Sequence, residues 1–168
     1  NPSNLQEIEY YLKFSIEKGN TYAMVNYGKK LKNGQGFKMN KQESLKYFKQ
    51  AADKGNIEGM LNYAQMNLEG EGTEINMKES MKYYKLAADK GDVDGMYNYS
   101  HLNYNEGNFS EAIKYGKLAA EHGDEKSMYN YGVMLSNGEG TEINKTEAAK
   151  WYKKAADKGF PLAMRNLA

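Results

Sequence analysis

Between Gly55 and Gly91 the apolar positions form two helical stripes separated by a polar, glycine-rich link. Met60, Tyr63, Ala64 and Leu68 recur at steps of three and four, which predicts a first helix with one buried face. Asn56 stands before it as N-cap, where a side-chain oxygen accepts from an orphan backbone N–H. Gly70-Glu71-Gly72 ends the helix. Tyr83, Tyr84, Ala87 and Ala88 then give a second stripe, and Asn76 with Glu79 three residues on predicts its capping box. Lys90-Gly91 closes that helix with a cation for the last carbonyls and a glycine for the left-handed turn.

The same two-helix grammar recurs along the chain. Gly19, Gly55 and Gly91 are 36 residues apart, as are Gly123 and Gly159, while Gly91 to Gly123 is 32. Five positions past each glycine stands Met24, Met60, Met96, Met128 or Met164, and two further on Asn26, Asn62, Asn98, Asn130 or Asn166. The second-helix box repeats as Asn4…Glu7, Asn40…Glu43, Asn76…Glu79, Asn108…Glu111 and Asn144…Glu147. The pairs Ala51-Ala52, Ala87-Ala88, Ala119-Ala120 and Ala155-Ala156 let neighbouring helix backbones approach closely. A period of this size marks a helical repeat array. One array over 1–168 is predicted: a half repeat at 1–19, full repeats at 20–55, 56–91, 92–123 and 124–159, and a truncated repeat at 160–168. That gives ten helices, the last one short. The methionines, at a fixed phase one turn before Gly28, Ala64, Ser100 and Gly132, are expected in the core. Neither terminus carries a polar capping repeat, so a segment of a longer array is expected, with ends open to self-association.

Composition narrows the function classes. Net charge is +1 from 23 basic and 22 acidic residues, which gives nothing global to recruit nucleic acid or anionic lipid. No apolar run approaches the ~20 residues that span a bilayer. The absence of cysteine excludes disulfides, thiolate metal sites and cysteine nucleophiles, and leans towards a reducing compartment such as the cytoplasm.

From Met128 to Gly159 the chain reads Met-x-Asn-Tyr-Gly, a Gly-x-Gly-Thr link, then Glu-Ala-Ala-x-Trp-Tyr-x-x-Ala-Ala-Asp-Lys-Gly. This closely resembles Sel-1-like repeats, relatives of tetratricopeptide repeats, and the resemblance covers essentially the whole chain. The third repeat departs from it. It lacks the Gly-x-Gly link, and Glu106-Gly107-Asn108-Phe109 reads like a tetratricopeptide turn. The resemblance implies an all-α, right-handed α-solenoid of antiparallel helix pairs acting as an adaptor. Some bacterial relatives are cysteine-rich and linked to β-lactam binding; this chain has none of those cysteines, which leaves such an enzyme activity a remote third reading.

Candidate chemistry thins out on inspection. Ser15-Ile16-Glu17-Lys18 matches the serine–lysine motif of penicillin-recognising enzymes, but Ser-Asp-Asn and Lys-Thr-Gly are missing. Ser15 also sits at the phase of the small packing residues. His101 and His122 are the only imidazoles, and no convergent set of ligands accompanies either. The glycine pairs follow helices rather than strands, so they are turns and not phosphate loops. No nucleophile–base constellation, metal site or cofactor site is expected.

Residues that change from repeat to repeat point to a ligand better than those that repeat. On the first helices these put Tyr97, His101, Tyr104 and Tyr129 on one face as aromatic anchors, with Lys126 and Arg165 adding charge towards the C-terminal side. Asn26, Asn62, Asn98 and Asn130 share the face. Two roles are open to them: a ladder of amides for an extended peptide backbone, or a scaffold bond to the adjacent turn. The expected function is a non-catalytic adaptor for a protein or extended peptide with apolar and acidic side chains. A structural spacer or oligomerisation segment is the alternative.

Overall fold

The computed structural model describes residues 2–166, with side chains from Asn4 to Arg165. The described residues form ten helices and no strand. First helices are α2 (Thr21–Asn33), α4 (Ile57–Glu69), α6 (Val93–Asn105), α8 (Glu125–Asn137) and the short α10 (Pro161–Asn166). They alternate with second helices α1 (Pro2–Glu17), α3 (Lys41–Asp53), α5 (Met77–Asp89), α7 (Phe109–Glu121) and α9 (Lys145–Asp157). The chain packs as two compact units, Asn1–Leu86 and Ala87–Ala168. In α2 and α3, the Ser44 hydroxyl donates to Gly28 O and the Asn40 N–H to Leu31 O, so the two helices of a pair run antiparallel.

Side-chain caps start most helices. Asn20, Asn56, Asp92 and Asp124 accept from the third residue of their first helices at 2.6–3.0 Å. Asn40, Asn76 and Asn144 do the same for α3, α5 and α9 at 3.0–3.1 Å. The boxes are closed differently from expectation. The cap N–H of Asn40, Asn76 and Asn144 donates to a carbonyl near the end of the preceding helix, at 2.8–2.9 Å, so the hairpin itself satisfies it. Two predicted boxes are absent. Asn4 lies inside α1, and Asn108 makes no side-chain cap bond because the four-residue-shorter link presents it at φ −81°, ψ 61°.

The joint between repeats is a glycine set on an alanine pair. Within the first unit, a Cβ on Gly59 would lie 2.8 Å from the Ala51 Cβ and 2.9 Å from the Ala52 nitrogen. Within the second, a Cβ on Gly95 would lie 2.7 Å from the Ala88 nitrogen and 2.8 Å from the Ala87 Cβ. Seven of the eight paired alanines are buried as predicted and Ala156 is partly buried; at Ala51, Ala52, Ala87 and Ala88 no space remains for added bulk. Ala88→Leu is therefore expected to cost ~1–3 kcal/mol through overpacking. An unchanged midpoint in urea unfolding would show that α6 does not press on this site. Met24, Met60, Met96 and Met128 are buried as expected; Met164 is 50% exposed, because α10 packs mainly against α9.

Tyrosine–carboxylate hydrogen bonds tie one second helix to the next. The Tyr83 hydroxyl donates to Asp53 at 2.5 Å and the Tyr115 hydroxyl to Asp89 at 2.6 Å. Burial pushes Tyr83 up to about 12, and its Asp53 partner adds to the shift. Burial alone raises the Asp53 carboxyl, but hydrogen bonds from Lys49 and Tyr83 outweigh it and hold the group below its usual value. The signs follow. Tyr83 contributes stability that is complete below its ordinary pKa of ~10 and is lost as pH rises through about 12. Asp53 contributes stability present above its ordinary value and lost as pH falls through the lowered one. The melting midpoint is expected to fall between pH 10 and 12, and Tyr83→Phe should flatten that limb. An identical alkaline limb in the variant would remove Tyr83 as its source.

Candidate functional site

In the second unit, α6 and α8 lie side by side and leave a groove of about 290 Å³ between them. His101 and Tyr104 form one wall, Tyr129, Asn130 and Val133 the other, and buried Met134 the floor. Helical spacing produces these walls. His101 and Tyr104 are three apart on α6, and Val133 follows Tyr129 by four and Asn130 by three on α8, so each set projects from one face.

The walls are held by their own packing. The Tyr104 ring meets Phe109 edge-on at 5.4 Å between centroids, and its hydroxyl donates to Glu139 Oε1 at 3.1 Å. Burial first, and that carboxylate acceptor second, hold Tyr104 in its neutral form by raising its pKa. Tyr129 is wedged between Tyr152 and Phe160, with centroids at 5.6 and 5.4 Å. Its ring therefore supports the core as well as the groove.

Among the predicted site residues, the structure brings His101, Tyr104, Tyr129 and Asn130 together. Tyr97 stands beside the groove rather than in it, stacked on His101 at 6.1 Å with the rings 18° from parallel. Lys126 places its ammonium over the Tyr97 ring at 6.0 Å, so this charge is already engaged with an aromatic face. Arg165 is exposed on α10. Asn98 lies half-exposed on α6, and Asn26 and Asn62 belong to the first unit. The Nδ2 groups of Asn62 and Asn98 donate to the carbonyls of Glu58 and Asp94, one turn back, at 2.8 Å. That bond turns each amide so that its donor is used within the helix. The fifth asparagine of the series, Asn166, has its side chain outside the described residues.

Sequence reasoning missed Glu139. The signal was present: Tyr104 occupies the phase of Lys32, and Glu139 that of Glu71. His122, by contrast, sits at the end of α7, its Nδ1 2.8 Å from Leu118 O. No group of three or more His, Asp or Glu residues fit for a metal ion occurs among the described residues. No helix among them is long and apolar enough to cross a membrane.

Four stretches, residues 21–56, 57–92, 93–124 and 125–160, match the model of the Sel1 repeat. The chain belongs to the Sel1 repeat family. Its fold, an α-solenoid of helix pairs, is shared with c5321, a protective antigen present in uropathogenic Escherichia coli strains and displaying an SLR fold. That structure superposes with a TM-score of 0.90 at 25% identity, over 97% of this chain and 36% of its own. The Sel1 array here thus spans about a third of that antigen's length. A Sel1 repeat protein from Oxalobacter formigenes matches with a TM-score of 0.77 at 26% identity, over 99% of this chain and 74% of its own. Immunity protein Pa5087 from Pseudomonas aeruginosa shares the fold at 19% identity, with a TM-score of 0.53 over 90% of this chain and 58% of its own. No curated protein matches by sequence. Sel1 repeats generally serve as protein-interaction scaffolds and are typically non-catalytic.

Proposed function

We propose that this Sel1 array is a non-catalytic adaptor that holds an extended peptide segment of a partner protein against the asparagine-bearing face of α6 and α8 in the second unit. One observation carries the reading: the aromatic residues that vary between repeats converge on a single groove, which repeated scaffold packing does not demand. Tyr104, Tyr129 and His101 offer wide contact area with few rotatable bonds, the economy seen at binding hot spots. Asn98 engages its donor within the helix, which leaves the Oδ1 acceptor to receive a backbone N–H from the peptide. Lys126 and Arg165 favour acidic side chains at their end of the face. The arrangement grips main chain and apolar side chains, so binding of this core is expected to depend weakly on salt.

The test is a selection of random dodecapeptides on the purified chain, followed by amide and side-chain NMR mapping of one selected peptide. Perturbations centred on His101, Tyr129 and Asn130 are expected. Perturbations confined to α1 or α10 would move the site elsewhere. A second reading rests on a separate observation. Tyr10, Tyr11 and Phe14 on α1 are 48–64% exposed, a face able to take a second copy. Sedimentation velocity over a hundredfold concentration range separates this spacer role from the adaptor.

A further inference from the structure

The two Gly-Glu-Gly links of this chain are geometrically equivalent but chemically unequal. In the first unit, Gly72 lies against α3 so closely that a Cβ would come within 2.5 Å of the Lys41 carbonyl oxygen. In the second unit, Gly140 lies against α7 in the same way: a Cβ there would come closer still to the Phe109 carbonyl oxygen. Each link therefore carries its glutamate back onto the preceding repeat. Glu71 meets two cations there, Lys32 at 2.6 Å and Lys41 at 2.7 Å, and their hydrogen bonds lower its pKa. At the matching positions in the second unit stand Tyr104 and Phe109. Glu139 keeps one partner, the Tyr104 hydroxyl on Oε1; its Oε2 is buried without a hydrogen bond, as is the Glu71 Oε2, but lacks the ion pair that Lys32 gives the latter.

A carboxylate oxygen removed from water without a partner is unfavourable, and an arriving donor recovers that loss. Tyr104 is both the partner of Glu139 and a wall of the α6–α8 groove, so the carboxylate lies one hydrogen bond from the groove. We propose that the groove is a subsite for one lysine or arginine side chain of the bound peptide, whose cation replaces the two that Glu139 lacks. The proposal rests on the adaptor reading and names the residue that the groove selects. The aliphatic stem lies over Val133 and Met134, as long cationic side chains do on apolar surface. The head group passes between the Tyr104 and Tyr129 rings, whose faces attract a cation. A rotation of Tyr104 then brings it to the carboxylate, where the bond is charge-assisted. An acidic side chain in the same place meets Glu139 as a like charge.

Three fluorescein-labelled peptides test this: Ser-Val-Ser-Val-X-Val-Ser-Val with X as arginine, leucine or glutamate. They are titrated by fluorescence anisotropy at pH 8. The arginine peptide is expected to bind about tenfold more tightly than the leucine peptide, as a charge-assisted bond contributes. Glu139→Gln should bring that ratio to about one while the leucine peptide binds as before. Tyr104→Lys, which supplies the internal ammonium that Lys32 gives to Glu71, should also abolish the arginine preference and raise the melting midpoint. Equal binding of arginine and leucine peptides to the parent overturns the subsite and leaves the groove reading intact. So does an arginine preference that survives Glu139→Gln. If none of the three peptides binds, the subsite falls together with the peptide groove.

Discussion

Gly140→Ala is expected to cost about 3 kcal/mol or more, against about 1–2 kcal/mol for Gly91→Ala. Both glycines hold left-handed backbone, at φ 77° and 89°, so each alanine bears the ~1–2 kcal/mol of that conformation. The environments then differ. Around Gly91 nothing lies within 4 Å of an added methyl. At Gly140 the methyl meets the Phe109 carbonyl oxygen at 2.3 Å and its carbon at 2.7 Å, backbone atoms that move only if the link lifts from α7. Overpacking of that kind adds ~1–3 kcal/mol. Urea unfolding of the two variants measures the difference directly. Equal losses would mean that the link does not press on the start of α7.

Tyr97→Ala combined with Tyr129→Ala is expected to weaken binding of a selected peptide by ~2 kcal/mol, about thirtyfold in Kd. Tyr129 forms a groove wall, and Tyr97 stacks on His101, which forms the other. Because Tyr129 also packs on Tyr152 and Phe160, the pair of substitutions will lower the melting midpoint, and binding is to be measured well below it. Tyr152→Ala is the control. It removes packing behind Tyr129 without opening the groove, so stability should fall while affinity is kept. A double variant that binds like the parent would move the site to another surface. A loss of affinity in Tyr152→Ala as large as in the double variant would make the effect one of folding.

The parts of this molecule legible in the sequence are those set by short-range chemistry. Asn56 and Asn76 cap because a side-chain oxygen reaches the N–H three residues on, and both partners stand in one line of sequence. The residues that line the α6–α8 groove stood out in the sequence for a different reason: positions such as His101 and Tyr129 change between repeats while the capping and alanine positions recur. What escaped depends on residues far apart. Tyr83 and Asp53 are separated by 30 positions, and only the stacking of second helices pairs them, although tyrosine recurs at positions 47, 83 and 115 with an acid at 17, 53 and 89. The glycine-on-alanine joint was half visible. The alanine pairs stood out, but Gly59 and Gly95 share their phase with Ala23, Ser127 and Ala163, so small size rather than identity repeats. Glu139 was missed because its signal lies in a comparison between repeats: Tyr104 and Phe109 stand where Lys32 and Lys41 flank its counterpart Glu71.

That backward-reaching link also governs how the array tolerates rearrangement at the level of the gene. Each copy that holds a Gly-Glu-Gly link carries part of the fastening of the copy before it, so these modules are not free-standing bricks. Replacing residues 56–91 by the shorter 92–123 module would keep the helix count and the alanine seam. It would also delete Glu71 and strand Lys32 and Lys41 as two cations without their shared anion. Duplication of a long module, by contrast, brings its own clasp. Growth and loss along such a chain are therefore asymmetric, since a copy that loses the clasp leaves its upstream neighbour unfastened.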